Sequence, residues 1–292
     1  MIRPLATRRS VQRVQPGTAL LYLAAVLPYV AFVNASTLNP SQYELAFFAG
    51  EFSQDLRDGD VRVFHSSFVH FFPMIDRSRI TAELKGVERC TVKTPTTPFT
   101  YKMMISLAYY ARQTLGLPQA VGIIVGFSTL LRSVEIIKIR VLDIIFRGGH
   151  VAKTTIRLGL TKNNRECLVQ LEPNSLAERA LRYLLGQNPD KYVPLFGFSS
   201  YRDLYKCILN FKLNFRLRLH LTPHSLRAGG ATHLKLRGFT VQVIADIGRW
   251  EDLRTAKSYI DVIFNILPET LVLEGRCWPT VETALNFLAQ PF

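Results

Sequence analysis

The stretch His224-Ser225-Leu226-Arg227-Ala228-Gly229-Gly230-Ala231-Thr232 joins an imidazole and a guanidinium to a run of small residues. On a helix, His224 and Arg227 are three positions apart and project from one face, so both can point at a single phosphate. Thr222 is placed to cap that helix, and Pro223 fits its first turn. Alone, the pattern does not distinguish a phosphate site from a capped helix with an exposed arginine and an incidental histidine.

A second charged pair lies upstream, in Leu131-Arg132-Ser133-Val134-Glu135. We predict that Arg132 and Glu135 share a helix face, so that the carboxylate can orient the guanidinium. An ordinary surface ion pair is the alternative. However, the surrounding stretch is largely apolar, and a charge placed there needs a reason.

A third group consists of Gly248-Arg249-Trp250 and Tyr259, which lies nine positions after Trp250. By itself, a tyrosine near a tryptophan at a helix end is more often part of a core than a nucleophile. Together with His224 and Arg227, these residues supply a cation, an imidazole, an indole donor and a phenol. Those groups are the ones needed to break and rejoin a phosphodiester through a covalent tyrosine intermediate.

In this order and spacing, the motifs resemble the catalytic domain of the tyrosine recombinases, which include the phage-type integrases and DNA resolvases. The resemblance covers about residues 95–265. In this family an arginine at a helix start is followed by a lysine on a β-hairpin, by H-x-x-R, by a histidine or tryptophan, and by a tyrosine. The matching positions in this sequence are Arg132, Lys162, His224 with Arg227, Trp250 and Tyr259.

The resemblance implies a chemical role for each position. Tyr259 would attack the scissile phosphate and form a 3′-phosphotyrosyl bond, with no need for ATP or a metal. Arg132 and Arg227 would bind the non-bridging oxygens, where negative charge develops. Lys162 would protonate the leaving 5′-oxygen, and His224 would assist removal of the phenolic proton.

Two further residues have supporting roles in the same scheme. Trp250 would donate its indole N–H to a phosphate oxygen or pack the helix that carries the nucleophile. Glu135 would buttress the site. Lys153 is an alternative to Lys162 as the general acid.

The sequence departs from the family pattern at two places. Arg249 separates Gly248 from Trp250, and Leu130 stands where the family usually has a glycine, so the turn there is expected to differ. The residues at these two motifs resemble those of the recombinases of eukaryotic mobile elements.

The overall charge favours a polyanionic partner. The chain has 36 Lys and Arg against 22 Asp and Glu, a formal net charge of +14. This excess favours nucleic acid over a membrane surface, with a solvated basic surface as the alternative. The resemblance implies that the nucleic acid is double-stranded DNA. The four cysteines form no C-x-x-C pair, and the sequence holds no P-loop, G-x-S-x-G, H-E-x-x-H or two-metal acidic cluster. We therefore expect neither a cofactor nor a metal.

The hydrophobic pattern predicts a mainly α protein with a small antiparallel β-sheet. Residues 1–90 read as a helical domain that resembles the core-binding, DNA-clamping domain of the family in size, position and helicity. Residues 91–98 are rich in Thr and Pro and are predicted to be a linker. Residues 99–292 are predicted to form the catalytic domain with a C-terminal tail, and their three short strands lie at 141–145, 151–158 and 165–171.

The N-terminal apolar run at 19–33 follows basic residues and resembles a secretory signal. It is shorter than a comfortable membrane span. A buried first helix with a kink at Pro28 gives the same pattern. We expect the second interpretation and no membrane partner.

These features predict a site-specific DNA recombinase or integrase. The resemblance implies a homo-tetramer on DNA, in the nucleus of a eukaryote or in the cytoplasm and nucleoid of a bacterium. Two alternatives remain: a catalytically silent DNA-binding relative, and an enzyme like the type IB topoisomerases, which relaxes supercoils without a specific site.

Overall fold

The computed structural model describes residues 14, 16–36, 41–54, 56, 58–73, 81, 97–148, 151–159, 167–257 and 260. The chain divides into two compact units, Met1–Thr94 and Pro95–Phe292, and the division falls within the segment predicted as a linker. Lys162, Tyr259 and the C-terminal tail lie outside the described residues. So do a turn that the sequence predicts at Asn163-Asn164 and almost all of a helix that it predicts at 80–87.

The described part of the first unit is helical. Its helices are α1 (Pro16–Ser36), α2 (Gln42–Gln54) and α3 (Asp58–Phe71). The sequence predicts Ser41 as the cap of α2, and the structure adds Glu44 as its reciprocal partner: the Glu44 N–H donates to Ser41 Oγ at 3.2 Å, and the Ser41 N–H donates to Glu44 Oε2 at 2.7 Å.

Aromatic side chains form the core of the first unit. Tyr29 is fully buried, and its hydroxyl donates to the Leu45 carbonyl oxygen at 2.6 Å. The centroids of the Phe64 and Phe68 rings lie 5.4 and 5.1 Å from the Tyr29 ring. Such tilted and edge-to-face contacts stabilise aromatic pairs beyond the area that they bury.

The helix α1 is longer than the apolar run in the sequence. It extends from Pro16 to Ser36 with Pro28 inside it, so the expectation of a run too short for a bilayer is wrong for the helix itself. Among the described residues, the segment Gly17–Ser36 is long and apolar enough to cross a membrane by length and composition alone. The same helix buries Val26 and Val33 in the core of the unit, but Leu20, Leu21 and Leu27 are more than half exposed, so the helix is only partly the buried one that the sequence predicts.

A second correction concerns Asp58-Gly59-Asp60, because the glycine between two aspartates predicts a break between helices. These residues instead form the first turn of α3. Acidic residues are favourable at a helix N-terminus because they face the positive end of the helix dipole, so the same residues suit a helix start as well as a turn.

Among its described residues, the second unit contains three strands, seven α-helices with defined bounds and a further helical segment at 253–257. The helices are α4 (Tyr101–Thr114), α5 (Leu117–Ser128), α6 (Ser133–Lys138), α7 (Leu176–Gly186), α8 (Tyr201–Asn214), α9 (Pro223–Leu236) and α10 (Val241–Gly248). A 3₁₀ turn at Val141–Asp143 precedes β1 (Ile144–Ile145), and β2 (Thr155–Leu158) and β3 (Cys167–Gln170) follow.

The three strands form one antiparallel sheet in the order β1-β2-β3. Ile144 pairs with Ile156, and Ile156 pairs with Val169. Ile156 and Val169 are buried against the helices, which places the sheet at the edge of the main core. The predicted class, mainly α with a small antiparallel sheet, is confirmed.

A buried carboxylate joins the sheet to α7. Glu178 accepts hydrogen bonds from Thr154 Oγ1 and from the Asn174 N–H, both at 2.6 Å, and it forms ion pairs with Arg147 and Arg182. Burial by itself raises the pKa of Glu178, but the hydrogen bonds from Thr154, Asn174 and Arg182 and the charge of Arg147 outweigh it and lower the pKa to about 2. The carboxylate is therefore charged at neutral pH and fixes α7 to the start of β2.

Two adjacent glycines let α9 pack unusually close to its neighbours. A Cβ atom at Gly229 would overlap the backbone of Phe99, just before α4, and a Cβ at Gly230 would overlap the Phe127 carbonyl in the last turn of α5. This close approach places the first turns of α9 beside the segment that follows α5. The small residues Gly229 and Gly230 therefore determine how closely α9 packs against α4 and α5.

We predict that Gly229→Ala destabilises the second unit by about 1–3 kcal/mol, because the added methyl group would overlap backbone atoms of Phe99, which cannot rotate away. Gly186→Ala at the end of α7 is the matched control, since nothing lies within 4 Å of its Cβ position. Alanine there should stabilise the helix by about 0.5–1 kcal/mol. Urea unfolding followed by circular dichroism measures both changes, and equal effects of the two substitutions would contradict the packing argument.

Candidate active site

Arg227 is the most deeply buried charged side chain at the site, with 2% of its surface exposed. Its Nη1 donates to the Leu130 carbonyl oxygen at 2.9 Å, and its Nη2 donates to the Gly248 carbonyl oxygen. Its Cζ lies 4.4 Å from the centroid of the Trp250 ring. These three contacts, with two carbonyl oxygens and an aromatic ring, hold the guanidinium in a fixed orientation inside the unit.

The Leu130 carbonyl reaches Arg227 because Leu130 adopts a left-handed backbone conformation, with φ of 52°. An altered turn is expected here, because leucine replaces the glycine that is usual in the family. The backbone conformation is nevertheless one that favours glycine, at a cost of about 1–2 kcal/mol for an L-residue. The Leu130 side chain is fully buried in a cluster with Ala231, Ile244 and Ile260, and this burial offsets the cost.

Arg132 lies at the start of α6 rather than within it. Its backbone is extended, and its N–H donates to Glu135 Oε2 at 2.7 Å, as in a helix cap. Its guanidinium Nη1 pairs with Glu135 Oε1 at 3.0 Å. The predicted ion pair is present, but the prediction of a shared helix face is wrong, because Arg132 is the capping residue. About a third of the Arg132 side chain, 37%, is exposed and can meet a ligand.

Glu135 also binds a second arginine, which the sequence analysis treats only as a departure from the family pattern. Arg249 Nη2 lies 2.7 Å from Glu135 Oε2, and both side chains are nearly buried. Arg249 caps α10 in a left-handed conformation, with φ of 57°. The signal in the sequence is the arginine between Gly248 and Trp250, but nothing local indicates its partner 114 positions away.

His224 lies at the start of α9 with its side chain exposed. Partial enclosure lowers the pKa of His224 below its ordinary value of 6.5, and the positive charges of Arg227 and Arg132 lower it further. The structure thus brings His224 near both predicted arginines. Because its pKa is lowered, the imidazole is neutral at pH 7 and can accept a proton.

Trp250 follows α10 and is half-buried. Its ring lies against Gly248, where a Cβ atom would overlap it, and against the apolar cluster that includes Leu130. The Trp250 ring therefore packs against the Arg227 guanidinium and helps to hold it in place. This is a packing role, and donation by the indole N–H to a phosphate stays a prediction.

The structure does not describe the two remaining catalytic candidates, Lys162 and Tyr259, whose roles stay predictions. Ala256 and Ile260, on either side of Tyr259, are buried. The alternative acid, Lys153, pairs with Glu172 at 2.7 Å. Within the described part of the chain, no group of three or more His, Cys, Asp or Glu residues could hold a metal ion.

The chain matches known proteins by sequence. The profile of the Phage integrase family matches residues 97–265. A tyrosine recombinase of Pseudothermotoga lettingae is 26% identical over 138 residues, which is 46% of this chain and 46% of that protein. The match thus spans about half the length of that relative.

Solved structures share the fold over most of the chain. The XerH site-specific recombinase, in a post-cleavage complex with a palindromic difH substrate, superposes with a TM-score of 0.65 and 18% identity over 87% of this chain and 78% of that one. A lambda integrase dimer bound to a COC′ core site gives a TM-score of 0.63 and 12% identity over 87% of this chain and 75% of that one. At such identities the similarity is one of fold.

The two predicted arginines differ in burial, and this difference predicts separate effects on stability. Arg227→Lys should lower the free energy of unfolding by about 3 kcal/mol, because an ammonium cannot satisfy two carbonyls and stack on Trp250. Arg132→Lys should change it by less than about 1 kcal/mol, since the side chain is partly exposed. Chemical denaturation of the two variants tests this, and a larger loss for Arg132→Lys would overturn the assignment of Arg227 as the buried anchor.

Proposed function

The chain belongs to the phage integrase family, and we propose that it is a site-specific DNA recombinase that cleaves and rejoins DNA through a 3′-phosphotyrosine intermediate. The observation that carries the proposal is the convergence of Arg132, His224 and Arg227 around one turn of the second unit. The family match covers all three residues. Two guanidinium groups and a neutral imidazole suit a phosphodiester that gains negative charge during reaction.

The guanidinium groups act on the phosphate. Arg132, partly exposed and held at one edge by Glu135, binds a non-bridging oxygen directly. Arg227 acts from inside the unit, where two carbonyl oxygens and the Trp250 ring hold its guanidinium. Because both groups are fixed before the substrate arrives, little reorganisation is needed as charge develops in the transition state.

The covalent step transfers the phosphate between two oxygens. The Tyr259 phenol loses its proton to His224 and attacks phosphorus, while the bond from phosphorus to the 5′-oxygen breaks. Lys162 protonates the 5′-oxygen, and the product is a 3′-phosphotyrosyl bond with a free 5′-hydroxyl. The reverse attack by a 5′-hydroxyl rejoins the strand, so the bond energy is conserved without ATP.

Double-stranded DNA is the proposed substrate. The net charge of +14 supports it, and the XerH and lambda integrase structures are complexes with DNA sites. Much of the affinity should come from Lys and Arg on phosphates, so binding weakens as salt rises. Exchange of strands between two duplexes requires several protomers, and we propose a homo-tetramer on DNA.

We predict that the wild-type protein forms a covalent adduct with nicked suicide duplexes taken from the DNA that flanks its own gene, and that Tyr259→Phe forms none. The phenylalanine variant lacks only the nucleophilic oxygen, so its DNA affinity should be unchanged. Denaturing gels detect the adduct, and gel shifts measure affinity. Salt-sensitive binding without an adduct in either protein would favour the silent DNA-binding relative. Relaxation of supercoils on any sequence would favour the topoisomerase-like alternative.

The lowered pKa of His224 predicts the pH dependence of cleavage. A general base works when deprotonated, so the rate of adduct formation should rise with pH through a pKa below the ordinary 6.5 and be level at pH 7. In His224→Gln this acidic limb should disappear, and the rate should fall by about 10²–10⁴-fold. Single-turnover cleavage between pH 5 and 8 measures the profile, and an unchanged limb in the variant would exclude His224 as the base.

A further inference from the structure

Arg249 connects three segments that meet at the site. Its Nη2 binds Glu135 Oε2 at 2.7 Å and the Leu130 carbonyl oxygen at 3.3 Å. Its Nη1 lies 3.5 Å from the Thr129 carbonyl oxygen and 3.3 Å from that of Ile247. One guanidinium therefore holds the end of α5, the start of α6 and the end of α10 together.

The contact with Glu135 determines how Arg132 is held. Glu135 Oε1 accepts the Arg132 guanidinium, and Glu135 Oε2 accepts both the Arg132 N–H and the Arg249 guanidinium. Without Arg249, one oxygen of this nearly buried carboxylate loses its charged partner. The carboxylate could then rotate, and the Arg132 guanidinium would move with it.

The contact with Leu130 concerns Arg227. The same carbonyl oxygen accepts hydrogen bonds from Arg227 and from Arg249. A carbonyl has two lone pairs, so both bonds can form together. Arg249 therefore helps to fix the acceptor that positions the buried guanidinium of Arg227.

Burial separates Arg249 from the residues that would meet DNA. Only 12% of the Arg249 side chain is exposed, against 37% for Arg132. Its hydrogen bonds point to protein oxygens inside the unit. A phosphate at the surface would meet Arg132 before it could reach Arg249.

We propose that Arg249 is a positioning residue, which orients Arg132 through Glu135 and Arg227 through the Leu130 carbonyl without touching DNA. This inference rests on the proposed function. It assigns a purpose to the extra residue between Gly248 and Trp250: the arginine forms an ion pair between α10 and α6 that a histidine or tryptophan following the glycine directly would not form.

The test compares Arg249→Met with Arg249→Lys and Glu135→Gln, using the full chain and the nicked duplexes that give an adduct with the wild-type protein. Arg237→Met is the matched control, because Arg237 is exposed after α9 and its described ring contact is with Phe239. Three quantities are measured: the adduct rate at saturating duplex, the salt dependence of duplex binding, and the Tm.

We expect Arg249→Met to lower the adduct rate by about 10- to 100-fold, as small displacements of catalytic groups do. The slope of log affinity against log salt should stay that of the wild type, because each lost phosphate contact would change it by about 0.9. Arg249→Lys should give an intermediate rate, since an ammonium can pair with Glu135 but cannot also reach the carbonyls. Arg237→Met should cleave at the wild-type rate.

Three results would overturn the inference. An adduct rate within twofold of wild type in Arg249→Met would show that the residue positions nothing. If Arg249→Met does not fold, an adduct rate within twofold of wild type in Arg249→Lys would lead to the same conclusion. A salt slope reduced by one contact in the Met or Lys variant would place Arg249 on the DNA.

A double-mutant cycle keeps this inference separate from the proposed function. The Tm loss of the Arg249→Met, Glu135→Gln double variant should be smaller than the sum of the two single losses, because both changes remove the same ion pair. This measurement needs no cleavage. A wild-type protein that forms no adduct would therefore overturn the recombinase function, while additive Tm losses would overturn the pairing of Arg249 with Glu135.

Discussion

One backbone carbonyl, that of Leu130, organises the second unit around the site. It accepts hydrogen bonds from Arg227 and Arg249, which lie 97 and 119 positions further along the chain. It points inward only because Leu130 takes a left-handed conformation, and Arg227 reaches it only because Gly230 lets α9 approach α5. The hydrogen bond from Arg227 to the Leu130 carbonyl therefore depends both on the strained turn at Leu130 and on the close contact at Gly230.

The site concentrates positive charge inside protein, which is costly unless the charges are well solvated by polar groups. Two guanidinium groups, those of Arg132 and Arg249, share the Glu135 carboxylate, and Arg227 contacts two carbonyl dipoles and the Trp250 ring. Among these three arginines, Arg132 has the most exposed side chain, so it is the one that a bound anionic group can contact from the surface.

Local rules predict much of this arrangement. The caps at Thr100 and Ser175, the three-stranded sheet and the pairing of Arg132 with Glu135 all follow from residues a few positions apart. The left-handed turn at Leu130 could not be predicted, because its cost is offset by burial in a distant cluster. The ion pair of Arg249 was missed for the same reason: its partner is 114 positions away, and no periodicity connects them.

The ion pair between Arg249 and Glu135 also limits which segments related proteins can exchange by recombination of their genes. A chimera that takes its last hundred residues from a relative with no arginine after the glycine would bring α10 without the guanidinium that Glu135 binds here. The receiving chain would then bury a carboxylate with one partner fewer. Segments 126–135 and 245–250 are therefore expected to be inherited as a unit, although they lie far apart in the gene.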